Sequence, residues 1–324
     1  MTTINMAWPT GALAGGLCTV TTDKARGDDF PANIDTVMCE YDGRITDIPF
    51  RRLYHRVTRV RCRTLGAKAL DSLDSESLDI KADVIEDDVF GSHGVNDLQA
   101  VTLSGLNGDL ASVGGSNFLY GCTGLTSLTL PASLASVGGS NFLAGCTGLT
   151  SLTLPASLAS VGGSNFLAGC TGLTSLTLPA SLASVGGSNF LAGCTGLTSL
   201  TLPASLASVG GSNFLYGCTG LTSLTLPASL ASVGGSGFLY GCTGLTSLDV
   251  QDGFGSKNLN TTWLLDDVKT ISTLTLRLTS GMWMASTWTS HLATGATVNV
   301  PATLLDAYKA DTTWAKFNLQ AIGA

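Results

Sequence analysis

The residues of this chain that could do chemistry are arranged in columns. Cys122, Cys146, Cys170, Cys194, Cys218 and Cys242 recur every 24 residues. One thiol per rung of a stacked fold could form a disulfide ladder or ligate a soft metal. Equal stacking, however, points such side chains the same way, and no His or carboxylate lies nearby to complete a zinc site. Buried free cysteine, acting as a small hydrophobe at a corner, is the expected state. Asn117, Asn141, Asn165, Asn189 and Asn213 form a second column. They are expected to form a structural asparagine ladder that satisfies backbone groups at a turn, with ligand binding as the other reading. A third set is the pairs Ser127/Thr129, Ser151/Thr153, Ser175/Thr177, Ser199/Thr201 and Ser223/Thr225. These would make a flat, neutral face of hydroxyls that can hydrogen-bond a protein or glycan without electrostatic steering. Regular Thr-x-Thr rows also resemble ice-binding faces, although one row here is serine, and a duplicated unit displays whatever it carries.

Little else could be catalytic. Between Leu110 and Leu248 there is no Asp, Glu, Lys, Arg or His, so this stretch offers no general acid or base, no carboxylate cage for calcium and no basic patch for phosphate. His55, His93 and His291 are far apart and fit no Ser-His-Asp or Cys-His pattern. The Gly-Gly pairs follow no strand-to-helix pattern and cradle no phosphate. The chain is therefore expected to be non-enzymatic, without cofactor or metal. Arg51, Arg52, Arg56, Arg59, Arg61 and Arg63 are the single basic cluster. They could bind a polyanion or an acidic partner, but Asp71, Asp74, Glu76, Asp79 and Asp83 follow within one coil, and cross-strand charge pairing is favoured. Cys18, Cys39 and Cys62 have no assigned role; their spacing implies no disulfide framework.

The elements that position these columns follow from a repeat. SVGGS begins at Ser112, Ser136, Ser160, Ser184, Ser208 and Ser232 within a nearly invariant 24-residue cassette. Copies differ chiefly by Tyr or Ala at the position of Tyr120 and by Gly237 in place of Asn, so the duplications read as recent. In each cassette Leu128 and Leu130 alternate with Ser127 and Thr129, which makes a strand with one face in the core. Pro131 ends it, and Leu134, Val137 and Phe142 return apolar side chains to the interior. Gly138, Gly139 and Gly145 are expected at corners with unusual dihedrals. One coil cannot bury its leucines alone, so the coils must stack.

The pattern Leu125-x-x-Leu128-x-Leu130-Pro131-x-x-Leu134-x-x-Val137-Gly138-x-x-x-Phe142, followed by Cys146, resembles the BspA-like leucine-rich repeat. It departs from that family by one extra residue before Cys146 and by Asn141 where a small apolar residue is usual. The segment from Val298 to Lys309, with Trp314 to Phe317, resembles the family's closing cap. The resemblance implies a β-rich leucine-rich repeat solenoid whose C-terminal cap holds a short helix near Leu304 to Tyr308. It also implies display on a surface, since the family occurs on bacterial and protozoan surfaces and in some virus-encoded proteins.

The chain accordingly reads as an N-terminal arm or cap (1–44), degenerate coils (45–107), six near-identical repeats (108–250), and irregular coils with the cap (251–324). Strands are expected at Val57–Cys62, Leu78–Ala82, Leu98–Leu103, Ile271–Leu276 and Thr297–Val300. Trp263, Trp283 and Trp288 should help to cover the C-terminal coils, since end coils must be closed against aggregation.

Across 324 residues only 12% are charged, half the usual share. A formal net charge of −7 argues against a nucleic-acid partner, and no apolar run is long enough to insert in a membrane. The opening MTTINMAWPTGALAGGL lacks a basic n-region and is a poor secretory signal; either another route or a signal since removed would deliver the chain. The function expected is recognition or adhesion on a cell surface or in the extracellular space, binding protein or glycan along the repeat face. The alternative is a fibre, decoration or receptor-binding component of a virus particle, attached through the N-terminal region, and ice binding is a minor third.

Overall fold

The structure, a computed structural model, describes residues 2–7, 17–22, 34–45, 57–71, 73, 75–91, 95–107, 110–253, 265, 267–277 and 286–322. Arg51, Arg52, Arg56, His55, Asp74, His93, Trp263 and Trp283 lie outside the described residues, as does the side chain of Trp288. The chain divides into two compact units, Met1–Ser157 and Leu158–Ala324. Each is a β-solenoid of leucine-rich repeat type.

The first unit begins with β1 (Thr2–Ala7), β2 (Leu17–Thr22) and β3 (Ile34–Ile45). These pair antiparallel, β1 on β2 and β2 on β3. The direction then changes: β3 pairs parallel with β4 (Val57–Leu65), and the parallel ladder continues through β5 (Ser77–Ile85) and β6 (Ala100–Ser104). The first 44 residues, for which an arm or cap was expected, thus add three strands to the sheet of the degenerate coils. Those coils contain strands where apolar alternation places them. Val60 opposes Ile80 and Ile80 opposes Leu103, and all three side chains are buried.

Within the repeats of this unit, two kinds of short strand alternate. Ser112–Val113 (β7) and Ser136–Val137 (β9) pair with each other. Ser127–Thr129 (β8) pairs with β6, and Ser151–Thr153 (β10) has the same buried leucine between two exposed hydroxyl residues. A parallel stack requires each coil to present the same side chains to the interior. Phe118 and Phe142 therefore stack at 5.5 Å between centroids, and Leu125, Leu134, Val137 and Leu149 are almost wholly excluded from solvent.

The second unit repeats this arrangement. Ser160–Val161 (β11), Ser184–Val185 (β13), Ser208–Val209 (β15) and Ser232–Val233 (β17) form one parallel row. Ser175–Thr177 (β12), Ser199–Thr201 (β14), Ser223–Leu226 (β16) and Ser247–Val250 (β18) form the other. This second row runs on through β19 (Ile271–Leu276), β20 (Leu292–Val300) and β21 (Asn318–Ala321). Phe166, Phe190, Phe214 and Phe238 stack at 5.3, 5.0 and 4.7 Å. The one α-helix among the described residues, α1 (Leu305–Ala310), follows Pro301 and buries Tyr308 against Trp314, with ring centroids 5.4 Å apart. It lies one residue later than the sequence places it and closes the last coils as the resemblance implies.

The corners correct one expectation. Gly145 does adopt a left-handed backbone, with φ +77°, but Gly138 and Gly139 do not. Gly139 is needed for close approach instead: a Cβ there would stand 2.0 Å from the Gly115 carbonyl oxygen of the preceding coil. The left-handed positions are held by Asn141 (φ 60°) and, less expectedly, Leu143 (φ 57°). Asparagine tolerates this region, whereas leucine is disfavoured there by about 1–2 kcal/mol. Complete burial of the Leu143 side chain offsets that cost.

Candidate functional site

The hydroxyl rows lie where alternation puts them. Ser127, Thr129, Ser151, Thr153, Ser175, Thr177, Ser199, Thr201, Ser223 and Thr225 are all exposed, and the leucine between each pair is buried. In the second unit the rows are in exact lateral register, Ser175 beside Ser199 beside Ser223 and Thr177 beside Thr201 beside Thr225. Strand spacing separates neighbouring hydroxyls along a row by about 4.8 Å. None of these ten hydroxyls makes a hydrogen bond to another described residue.

A neighbouring row, which alternation alone did not mark, behaves differently. Thr126, Thr198, Thr222 and Thr246 are also exposed, but their hydroxyls donate to the main-chain carbonyl one coil back: Thr126 to Gln99 at 3.1 Å, Thr198 to Thr174 at 3.5 Å, Thr222 to Thr198 at 3.3 Å and Thr246 to Thr222 at 3.2 Å. Their position just before the strand is the sequence signal, since residues at strand entrances meet unpaired carbonyls. This row is structural, and the two rows beside it keep their hydrogen-bonding capacity for the solvent side.

Charge enters the same face only where the perfect repeats stop. In the first unit the row of Thr129 continues to Thr102, Asp79 and Arg59, and Arg59 Nε donates to Asp79 at 2.9 Å. In the second unit the row of Thr225 continues to Asp249, which accepts bonds at 2.9–3.1 Å from the guanidinium of Arg277. The carboxylate partner raises the Arg277 pKa, first through these hydrogen bonds and then through its charge. Cross-strand pairing thus holds for Arg59 and Asp79, while Arg61 stands between Glu40 and Lys81 in the register.

The cysteine column is buried, and none of its thiols is in a disulfide. It does more than fill space. The thiols of Cys146, Cys194, Cys218 and Cys242 donate to the carbonyls of Leu119, Leu167, Leu191 and Leu215 at 3.1–3.2 Å. Those acceptors belong to the left-handed leucines of the preceding coil. Burial pushes the thiol pKa up to about 11 at Cys122 and about 12 at Cys218 and Cys242. At Cys194, burial and then the neighbouring Cys170 and Cys218 raise it further. Such thiols are poor nucleophiles and poor metal ligands.

The asparagine column forms a directional side-chain ladder. Asn141 donates to Asn117 at 2.6 Å, and Asn117 donates to the carboxylate of Asp88. In the second unit Asn213 donates to Asn189 at 3.0 Å, and Asn189 to Asn165 at 2.7 Å. The side chains of this ladder bond one another from coil to coil. A carboxylate suits the accepting end because it needs no proton of its own. Gly237 occupies the next position and adopts φ +71°. Exposed Tyr216 stacks on Tyr240 at 5.2 Å. The one described histidine, His291, donates from Nδ1 to the Val268 carbonyl at 2.9 Å and serves the backbone.

Parallel coils, a leucine strand in each and a cap at the C-terminus define a leucine-rich repeat protein. Residues 111–246 and 187–263 match the BspA type leucine rich repeat region in six copies. No curated protein matches the chain. Among solved structures, a leucine-rich repeat protein from Bacteroides ovatus is similar at 17% identity and a TM-score of 0.44, covering 94% of this chain and 98% of its own. A leucine rich cell surface protein from Faecalibacterium prausnitzii is similar at 13% identity and a TM-score of 0.28, covering 98% and 95%. The pneumococcal vaccine antigen PcpA is similar at 13% identity and a TM-score of 0.36, covering 99% and 98%.

Proposed function

We propose that this chain is a non-enzymatic recognition module, displayed on a cell or particle surface, that binds protein or glycan through its serine and threonine rows. The observation that carries this reading is the set of ten exposed hydroxyls without a hydrogen-bond partner among the described residues, in register from Ser175 to Thr225 within the second unit, beside a threonine row whose described hydroxyl bonds run to the backbone. A neutral face of this kind offers many weak donors and acceptors at fixed spacing. Affinity would come from the number of contacts made together rather than from any one of them. Association should be slow by the standard of charge-steered pairs and nearly insensitive to salt.

The test uses immobilised mucin, native and enzymatically deglycosylated, with the full chain as analyte. Binding to either form is expected, and Thr177→Glu with Thr201→Glu and Thr225→Glu should weaken it at least tenfold while the melting temperature stays within a few degrees. Removal of two whole cassettes, residues 160–207, should also weaken binding without unfolding the chain. Binding that survives both changes would exclude this face as the recognition surface.

A further inference from the structure

We propose that Cys18 and Cys39 form a cross-strand disulfide that staples the N-terminal sheet, making this a redox-modified site distinct from the inert thiols of the repeats. Sequence spacing does not suggest the pair, because 20 other residues separate the two cysteines. The fold brings them together: β2 and β3 run antiparallel, and Cys18 is the direct register partner of Cys39. Directly opposed residues on antiparallel strands have Cα atoms about 4.5–5.5 Å apart. A disulfide spans Cα separations of about 4.4–6.8 Å, so bridging needs no movement of the strands.

The register also excludes the competing pairing. β3 lies between β2 and β4. Cys62 on β4 stands opposite Tyr41, and Val60 stands opposite Cys39. Cys39 and Cys62 are therefore diagonal neighbours about 7–8 Å apart, beyond the reach of a disulfide without backbone movement. Cys62 is wholly buried. The six repeat cysteines sit in coils beyond β4, and burial holds Cys122, Cys194, Cys218 and Cys242 in the thiol form. Cys18 and Cys39 are the two cysteines that the strand register sets directly opposite each other.

The step is an exchange with a low-molecular-weight disulfide such as oxidised glutathione. One thiolate attacks the external disulfide, forming a mixed disulfide and releasing one reduced thiol. The second protein thiolate then displaces the other half. The protein gains one S–S bond and loses two protons and two electrons, and the external disulfide takes them up as two thiols.

The test is peptide mapping of the full chain after equilibration with oxidised glutathione, unfolding in alkylating denaturant and tryptic digestion. Cleavage after Lys24, Arg26 and Arg44 places Cys18 and Cys39 in separate peptides, each with one cysteine. The expected result is a linked peptide pair that separates on reduction, together with alkylation of all seven other cysteines. In Cys18→Ser, Cys39 should instead appear alkylated or as a mixed disulfide with glutathione. Recovery of Cys18 and Cys39 unlinked from the wild-type chain, or a link from either to a third cysteine, would overturn the proposal.

Discussion

The perfect coils and the degenerate coils solve the same stacking problem with different residues. In the perfect coils equivalent residues stack on one another: Phe190 on Phe214, Asn189 on Asn213, Leu200 beside Leu224. No charge is required, because a repeated neutral donor and acceptor can satisfy each other indefinitely. In the degenerate coils the partners differ, and the pairs become complementary: Arg59 with Asp79 and Arg277 with Asp249. Like charges stacked at strand spacing would repel, so an array of identical coils favours neutral residues on its faces. The charge-free stretch from Leu110 to Leu248 is thus a physical consequence of duplication as much as a functional choice.

This contrast predicts a gradient of mutational cost. Phe190→Ala removes the middle of an aromatic stack that is 1% exposed and should destabilise the second unit by about 4 kcal/mol, measured by chemical denaturation. Gly187→Ala should cost about 3 kcal/mol, since its Cβ would stand 2.0 Å from the Gly163 carbonyl oxygen and no side chain can move aside. An equal loss from Gly253→Ala, at the edge of the repeats, would break the distinction between coil-on-coil approach and ordinary turn strain.

The thiol column predicts a dependence on alkaline pH. The folded state raises the thiol pKa of Cys218 and Cys242 from 9.0 to about 12. Below pH 9 these thiols are protonated in both folded and unfolded chains, and their stabilising contribution is fully present. As pH rises from about 9 towards 12 the unfolded chain ionises first, and stability is lost. Denaturation midpoints between pH 8 and 11 should fall, and Cys218→Ser with Cys242→Ser should flatten the fall. The smallest effect is expected at the edge: Arg277→Ala breaks an exposed ion pair and should cost about 0.5 kcal/mol or less, vanishing in high salt.

Much of this architecture was legible in the sequence, because a period of 24 and an alternation of Leu with Ser or Thr each have one geometric solution. The exposed rows and the buried cysteines follow from that solution, whereas the helix after Pro301 was implied by the resemblance of the C-terminal segment to a closing cap. What alternation could not show is any contact between residues on different coils. The Cys146 thiol bonded to the Leu119 carbonyl, the asparagine ladder ending on Asp88, and the role of Gly139 all depend on which atoms meet across one coil of separation. The antiparallel start was missed for a different reason: β1 to β3 have no partner copies in the sequence to reveal a register.

Identity between coils also bears on how the chain finds its fold. The strand at Ser199–Thr201 would pair as well with any strand of the same sequence as with its neighbour at Ser223, so local affinity cannot tell a coil from the next one along. Skipping a coil would leave a loop of one cassette and one interface fewer, a trap that is compact and locally native. The unequal pairs have no such freedom, because Arg277 meets Asp249 in one alignment only. Folding that starts from the irregular coils and adds cassettes in order would avoid the trap, whereas folding that starts in the middle would have to undo its errors.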